Sequence, residues 1–185
     1  MKADLPSVAI LSLVVMCSLQ TSSFAEGPKL NIKERIGIFD SRAVAIAYGN
    51  SAFLAKIQDL QKRYQQAKEH GDKKEAARLK AIELSLQSQI HMQAFSTAPV
   101  DDILLLISAD LPKIQKTASV TCLVSKWDKA QLKKHLNAEQ VDVTMQLVNA
   151  FHLKENQKEG INEIQKLQPI PLTHAAKMKG LRTTA

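Results

Sequence analysis

The sequence predicts an α+β fold that is mostly helical, with a small strand body and a projecting antiparallel helical hairpin that forms a coiled-coil arm. Glycine and proline number six each in 185 residues, about half of average usage, which disfavours a turn-rich β-sandwich. Residues 51–95 are rich in Lys, Gln, Ala and Leu, which lose little entropy on entering a helix. Two short, β-branched apolar runs, at residues 35–40 and 120–124, are typical of strands.

The first segment of the chain is typical of an export signal. Lys2 is followed by an apolar run over residues 8–19, and small residues stand at Ser23 and Ala25. This order predicts a signal peptide over residues 1–25. A membrane anchor is the alternative, but about a dozen apolar residues fall short of the roughly 20 that span a bilayer. We therefore expect a secreted protein.

The two cysteines bear on export and on stability. A lipoprotein would be modified at Cys17, although Met16 stands where a small residue is expected, and this alternative stays open. After cleavage only Cys122 remains, so the mature chain has no internal disulfide and must rely on packing or oligomerisation. Because neither a histidine nor a helix N-terminus stands beside Cys122 in the sequence, we expect a buried, unreactive thiol there.

A polar leader over residues 26–34 and the first strand precede the helical hairpin, which we place at residues 51–95. Its apolar residues recur every three or four positions, with a break at Gly71. They are Phe53, Ile57, Leu60, Tyr64 and Ala67 before the break, and Ala76, Leu79, Ile82, Leu86 and Ile90 after it. A spacing of 3.5 is typical of two helices that coil around each other.

The segment after the hairpin is the most apolar part of the mature chain. Residues 103–114 predict a buried helix, with a kink or break near Asp110 because Pro112 removes a backbone hydrogen bond. Asp101 and Asp102 fit the first turn of that helix. The second strand follows at residues 120–124.

The last third of the chain is increasingly polar. Residues 129–140 predict a polar connection, and Asp142 is placed to cap a short helix over residues 145–153. Residues 154–185 predict a short partner-dependent helix and then a disordered basic tail, because few apolar side chains there offset the entropy of ordering.

The sequence carries no catalytic motif that we recognise. The five histidines show no pairing at i, i+4, and the chain has neither a phosphate-binding Gly-rich loop nor a Gly-flanked nucleophilic serine. We therefore expect a protein that is not an enzyme and that uses no cofactor and no metal ion.

Positive charge is the main functional signal. The chain carries a formal net charge of +7, and the hairpin carries eight basic side chains against five acidic ones. Seven of these basic residues define the predicted binding surface of the arm. They are Lys62, Arg63, Lys68, Lys73, Lys74, Arg78 and Lys80. Such a surface attracts acidic polypeptides or an anionic membrane surface, although a merely solvated helix surface is the alternative. Export and the scarcity of stacking aromatics disfavour nucleic acid as a partner.

Two short motifs stand in the order established above. Residues 36–44 read IGIFDSRAV and residues 141–148 read VDVTMQLV. They resemble the first strand and helix start, and the Asp-(Ile/Val)-Thr-x-x-Val close, of the Skp/OmpH family of periplasmic chaperones. Residues 120–127 stand where the second main strand of that family would be. The resemblance covers residues 33–153, which we take as one domain of residues 35–153 with its leader.

The resemblance implies a homotrimer in which three chains join their strands into a body from which the arms enclose a cavity. It implies that Ile36, Ile38, Leu123 and Val124 belong to the oligomer body and that the arm faces the client. The implied function is an exported, ATP-independent holdase that binds unfolded outer-membrane proteins in the periplasm. The alternative is a structural or adaptor protein of the cell envelope that has the same fold and no chaperone activity.

Overall fold

A computed structural model describes residues 33–158 and 160–177 of the chain. The predicted signal peptide, Cys17 and most of the polar leader lie outside the described residues, as do residues 178–185 of the predicted tail. No helix within the described ranges is both long enough and apolar enough to cross a bilayer.

Three short parallel strands form the sheet of the described residues. They are β1 (Arg35–Phe39), β2 (Leu123–Ser125) and β3 (Glu139–Asp142). The central strand is β1, with Gly37 opposite Leu123 on one side and opposite Val141 on the other. Since parallel strands need long crossovers, helices must connect them. A mostly helical α+β fold with a small strand body is therefore confirmed.

The helices lie between and after the strands. They are α1 (Ser41–Tyr48), α2 (Leu54–Glu69), α3 (Lys73–Phe95), α4 (Asp101–Leu104), α5 (Leu111–Ala118), α6 (Lys129–Leu132), α7 (Thr144–Asn149), α8 (Ile161–Lys166) and α9 (Leu172–Lys177). A π-helical turn, Gly49–Phe53, joins α1 to α2, and 3-10 turns occur at Leu105–Ile107, Lys133–His135 and Glu155–Gln157.

The main core lies where β1, α1, the end of α3, α4 and α7 meet. Val44, Ile103, Val143 and Leu147 are fully buried there. Gly37 is required at the centre of the sheet, because a Cβ atom on it would lie 2.8 Å from Leu123 Cδ2. The packing of the sheet against the helices therefore depends on aliphatic side chains and on the close contact between the Gly37 backbone and the Leu123 side chain.

The segment after α3 differs in part from its prediction. The break near Asp110 is confirmed, because a new helix begins at Leu111 with Pro112 in its first turn, where proline has no hydrogen bond to lose. The expectation of burial is wrong for two residues of the 3-10 turn. Leu105 is 71% exposed and Leu106 is 61% exposed, because a short 3-10 turn between two helices buries one side only.

Two further expectations for the second half are corrected. Part of the predicted polar connection forms β3. This edge strand has mostly exposed side chains, so its sequence lacks the alternation of apolar and polar residues that predicts a strand. The helix expected to need a partner is α8, and it packs within the chain. Ile161 and Ile164 are buried against Ala43 and Ala47 of α1. A satellite core therefore orders part of the predicted tail.

Candidate functional site

Nine of the ten predicted seam residues pack together in one apolar cluster. Its buried members are Ile57, Leu60, Ala67, Ala76 and Leu79, with Phe53, Tyr64, Ile82 and Leu86 packed against them. The tenth, Ile90, lies in the main core instead, and Phe53 packs against both clusters. We call α2 and α3 the α2–α3 pair; its seam cluster contains only residues of these two helices and the π-helical turn before them.

A tight turn joins the two helices. Gly71 adopts a left-handed conformation with φ of +72°, which glycine reaches without a Cβ clash. Asp72 then caps α3, because its Oδ1 accepts a hydrogen bond of 2.9 Å from the backbone N–H of Glu75. The break that the sequence predicted at Gly71 is therefore the end of one helix and the start of the next.

The seven basic residues predicted for binding are all exposed on the α2–α3 pair, and three of them have acidic neighbours. Arg78 makes two hydrogen bonds of 2.6 Å to the carboxylate of Glu75, and Arg63 lies 3.8 Å from the same carboxylate. Lys80 Nζ lies 2.9 Å from Glu83 Oε2. The hydrogen bond from Arg78 is the main reason that the pKa of Glu75 lies below its usual value. Part of the predicted positive charge is therefore compensated locally.

The remaining four basic residues, Lys62, Lys68, Lys73 and Lys74, form no ion pair with any residue that the structure describes. Lys68 Nζ lies 5.6 Å from the centre of the Tyr64 ring. Lys68, Lys73 and Lys80 surround a shallow cleft of about 460 Å³ whose floor includes Tyr64, Ala76 and Ala77. The structure thus brings three of the seven predicted residues together around an apolar floor near the turn.

One acidic residue, Glu83, is buried inside the α2–α3 pair, and the sequence pattern did not predict its burial. Glu83 is 4% exposed and accepts hydrogen bonds from Gln61 Nε2 at 3.0 Å and from Lys80 Nζ at 2.9 Å. The bond from Gln61 is the largest cause that lowers the pKa of Glu83, against the opposing effect of burial. This polar contact across the seam favours one alignment of α2 with α3, because a shifted alignment would cost the buried Glu83 its hydrogen bond from Gln61, while Lys80 and Gln87 of α3 itself would still donate to it.

The four residues predicted for the oligomer body lie on β1 and β2. Ile36 is 0% exposed and Val124 is 6% exposed, so both belong to the core of a single chain. Ile38 and Leu123 are half-buried. Only Ile38 and Leu123 of the four therefore retain surface for a second chain to cover.

The most connected polar cluster was missed by the sequence analysis and lies at the carboxyl end of the sheet. Asp40 Oδ1 accepts hydrogen bonds from Arg42 Nε (3.1 Å) and Trp127 Nε1 (2.9 Å), and Oδ2 accepts from Arg42 Nη2 (2.9 Å) and Lys126 Nζ (2.7 Å). The Arg42 guanidinium lies 4.7 Å from the Trp127 ring centre, and the backbone N–H of Asp40 donates to Thr144 Oγ1. We call these five residues the Asp40 network.

The Asp40–Arg42 ion pair at the centre of the Asp40 network is closed to solvent, whereas Lys126 and Trp127 are partly exposed. Burial alone raises the pKa of Asp40, but the hydrogen bonds from Arg42, Lys126 and Trp127 outweigh it and hold the pKa below its usual value. Asp40 and Arg42 are both 0% exposed, so no face of the ion pair is open to a ligand. The network is therefore a structural tie between the ends of β1 and β2 and the start of α7. Its signal in the sequence was the position of Asp40 and Trp127 just after two parallel strands, whose carboxyl ends lie at one edge.

Two other polar residues have neighbours that the sequence pattern did not predict. Asp102 lies in the first turn of α4, as predicted, and it also accepts hydrogen bonds from Gln89 (2.8 Å) and Gln93 (2.7 Å), which tie α4 to α3. The prediction of a buried Cys122 without a histidine nearby is wrong. Cys122 is half-buried, and its Sγ lies 3.9 Å from His135 Nε2, because the fold brings together residues that are 13 positions apart.

Comparisons with protein-family models, with curated proteins and with solved structures gave no match to this chain. Among the residues that the structure describes, no three or more His, Cys, Asp or Glu side chains form a group that could hold a metal ion. No family assignment follows from these comparisons, so the resemblance to the Skp/OmpH family stays a prediction.

Proposed function

We propose that this chain is an exported, ATP-independent holdase that binds unfolded outer-membrane proteins in the periplasm, with the α2–α3 pair as its arm. The proposal combines the resemblance of residues 36–44 and 141–148 to the Skp/OmpH family with the surface of that pair. In this proposal no cofactor takes part, and binding is reversible contact between the arm and an extended client.

The observation that carries the proposal is the cleft near the α2–α3 turn. Three lysines stand around a floor of Tyr64, Ala76 and Ala77. An unfolded polypeptide exposes apolar side chains beside backbone carbonyls and carboxylates. Apolar groups of the client fit the floor, and the lysine ammonium groups donate to its oxygen atoms. Such a site is tolerant of sequence, as a holdase requires.

The seam of the α2–α3 pair supports an arm. Its cluster is made only of α2, α3 and the preceding turn, and the outward side chains over residues 57–79 are exposed or half-buried. Leu54 and Leu84 are 56% and 46% exposed on these helices. Exposed leucines on a charged helix surface provide further contact area for apolar client segments.

The open edges of the sheet support an oligomeric body. The order β2-β1-β3 leaves the outer edges of β2 and β3 without a strand partner among the described residues. Glu139 and Val143 direct their backbone N–H groups to β1, so the alternate residues Gln140 and Asp142 direct theirs outward. If β3 of one chain pairs with β2 of the next, three chains form a closed ring with no free edge. We therefore propose a homotrimer.

Light scattering after size exclusion tests the oligomer. We expect the mass of three chains at micromolar concentration. A single monomeric species at that concentration would contradict the trimer, and with it the cavity between arms.

Suppression of aggregation tests the holdase. An outer-membrane protein diluted from urea is expected to aggregate less in the presence of the full chain. The double substitution of Lys68 and Lys73 by Gln is expected to reduce the effect, and it leaves the bond from Lys80 to the buried Glu83 intact. The matched control replaces Lys113 and Lys116, which are exposed outside the α2–α3 pair, and it removes the same charge.

Equal suppression by the two double variants would contradict the cleft as the client site. No suppression by the wild-type chain would contradict the holdase and favour the adaptor of the cell envelope. Binding to vesicles that contain anionic lipid, lost in the Lys68 and Lys73 variant alone, would then identify a membrane surface as the partner of the same lysines.

A further inference from the structure

Three side chains with the chemistry of an activated thiol meet at the amino-terminal edge of the sheet. Cys122 Sγ lies 3.9 Å from His135 Nε2, and His135 Nδ1 lies 2.9 Å from Glu34 Oε1. Glu34 is separated from His135 by 101 positions in the chain. Only the folded protein therefore assembles this group, which we call the Cys122 site.

The parallel sheet explains why they meet. Glu34 directly precedes β1, Cys122 directly precedes β2, and His135 ends the 3-10 turn ahead of β3. The amino ends of parallel strands lie at one edge. Backbone hydrogen bonds fix two of the three residues, because Gly37 N–H donates to the Cys122 carbonyl at 2.8 Å and Glu139 N–H donates to the Glu34 carbonyl at 2.7 Å.

The order of the three groups determines the role of each. An ionised Glu34 carboxylate only accepts, so the proton of a neutral His135 ring lies on Nδ1, which donates to Glu34. Nε2 then presents its lone pair to the thiol of Cys122. Glu34 holds the imidazole, and the imidazole accepts the proton of the nucleophile, which is the arrangement of an activated cysteine.

We propose that Cys122 is a reactive thiol that exchanges with low-molecular-weight disulfides, with His135 as the proton acceptor and Glu34 as the residue that positions His135. The thiol proton moves to His135 Nε2, and the Cys122 sulfur attacks one sulfur of the disulfide. One S–S bond breaks and one forms. The departing thiolate takes a proton from the His135 imidazolium and leaves as a thiol.

The exposure of the Cys122 site and the number of cysteines determine the product of the exchange reaction. Cys122 is half-buried, the His135 side chain is 21% exposed and Glu34 is 46% exposed, so a small disulfide can approach the site. No other cysteine lies within the described residues to displace the bound half. The product is therefore a mixed disulfide that persists until an external thiol reverses it, which makes Cys122 a site of reversible S-thiolation.

The test uses the full chain with Cys17→Ser, so that Cys122 is its only cysteine, and glutathione disulfide as the probe at pH 7. Intact mass is expected to show one glutathione per chain, and a thiol assay one released glutathione. Cys122→Ser is expected to abolish both. His135→Ala is expected to slow adduct formation on the order of 100-fold, the low end for general base catalysis. His91→Ala, on an exposed face of α3, is the control and is expected to react at the wild-type rate.

Two substitutions of Glu34 distinguish a role in positioning His135 from a role in holding the fold together. Glu34→Ala is expected to slow the reaction, whereas Glu34→Gln keeps an oxygen that accepts from Nδ1 and is expected to restore most of the rate. Equal rates for both Glu34 variants would contradict the positioning role.

A folded His135→Ala protein that reacts at the wild-type rate would overturn the proposal. Where this variant does not fold, the Cys17→Ser chain is compared with itself in urea at the same pH. The proposal requires the native thiol to react faster than the unfolded one, and a native rate that is equal or slower would overturn it. These rates are measured without any client, so they are independent of the proposed holdase.

Discussion

Two regions of this chain bury a carboxylate, and they satisfy it in different ways. Asp40, at the end of β1, is fully buried, and two partners of its carboxylate, Lys126 and Trp127, lie 86 and 87 positions away. Glu83, in the α2–α3 pair, is also buried, and its partners Gln61 and Lys80 lie within 22 positions. The sheet region is therefore held by contacts distant in sequence, and the helical pair by local ones.

This difference predicts different cooperativity. Breaking one contact of the Asp40 network disturbs β1, β2 and α7 at once. The apolar cluster of the α2–α3 pair includes no side chain from those elements. We therefore expect the pair to open locally at a lower free energy than the sheet region, as separate cooperative units do.

The largest effect is expected from Asp40→Ala. It leaves the guanidinium of Arg42, which is 0% exposed, without its carboxylate. Removing one partner of a buried ion pair costs about 3–5 kcal/mol of unfolding free energy. Urea denaturation followed by the fluorescence of Trp127, the single tryptophan of the chain, measures it.

Glu139→Gln is the control for that substitution. It removes an ion pair of 3.2 Å to Arg35 in which both side chains are more than a third exposed, so a change of about 1 kcal/mol or less is expected. Similar losses for Asp40→Ala and Glu139→Gln would contradict the importance of the network.

The next effect is expected from Leu79→Ala in the α2–α3 pair. Leu79 is 2% exposed, and truncation of a buried leucine costs about 2–5 kcal/mol. Because its cluster includes no residue of β1 or α7, we expect lower amide protection in α2 and the first half of α3 and unchanged protection in β1 and α7. Native-state hydrogen exchange measures both regions in one experiment. Loss of protection throughout the chain would show that the two regions unfold together and would remove the contrast between them.

A smaller effect is expected from Gly37→Ala in the sheet region. The added Cβ would lie 2.8 Å from Leu123 Cδ2 and 3.1 Å from Val143 Cγ2. Overpacking of this kind costs about 1–3 kcal/mol. Gly49→Ala is the matched control, because a Cβ there meets nothing within 4 Å and Gly49 is helical. Urea midpoints that do not differ between the two variants would contradict the tight packing at β1.

The same contrast explains what the sequence predicted. The seam follows a local period of 3.5, so nine of its ten predicted residues, from Phe53 to Leu86, are found in the seam cluster without knowledge of distant contacts. The tenth, Ile90, packs in the main core instead. β1 was found because its apolar residues are contiguous. β3 was missed because Glu139, Gln140 and Asp142 are exposed on an edge strand, where alternation of apolar side chains is not needed.

Contacts between residues that are distant in sequence could not be predicted, for a physical reason. Asp40 and Trp127 are unremarkable polar and aromatic residues until two parallel strands place them at one edge. Cys122 and His135 share no motif, and they meet only at the opposite edge of the same sheet. The seven predicted basic residues all lie on the surface, but Arg63, Arg78 and Lys80 form ion pairs with Glu75 or Glu83 that the sequence pattern did not predict.

The smallest effect is expected from Glu83→Gln, and its pH dependence separates the two regions. The pKa of Glu83 in the folded chain lies below its usual value, chiefly because Gln61 donates to it. Its stabilising contribution is therefore fully present above the unfolded pKa of about 4.3 and is lost as pH falls through the folded value. Glutamine keeps the size and an acceptor oxygen, so at pH 7 we expect a loss of about 1 kcal/mol from the opening of the α2–α3 pair.

Hydrogen exchange at several pH values measures this loss. Between about pH 5 and pH 3, across the unfolded pKa of a glutamate, the free energy of opening of α2 and α3 is expected to fall in the wild type. It is expected to fall less in Glu83→Gln, while β1 and α7 respond alike in both proteins because Asp40 is unchanged. An identical decline of α2–α3 protection in both proteins would show that another group governs the pair at acid pH. A change at β1 on substituting Glu83 would show that the carboxylates belong to one cooperative unit rather than two.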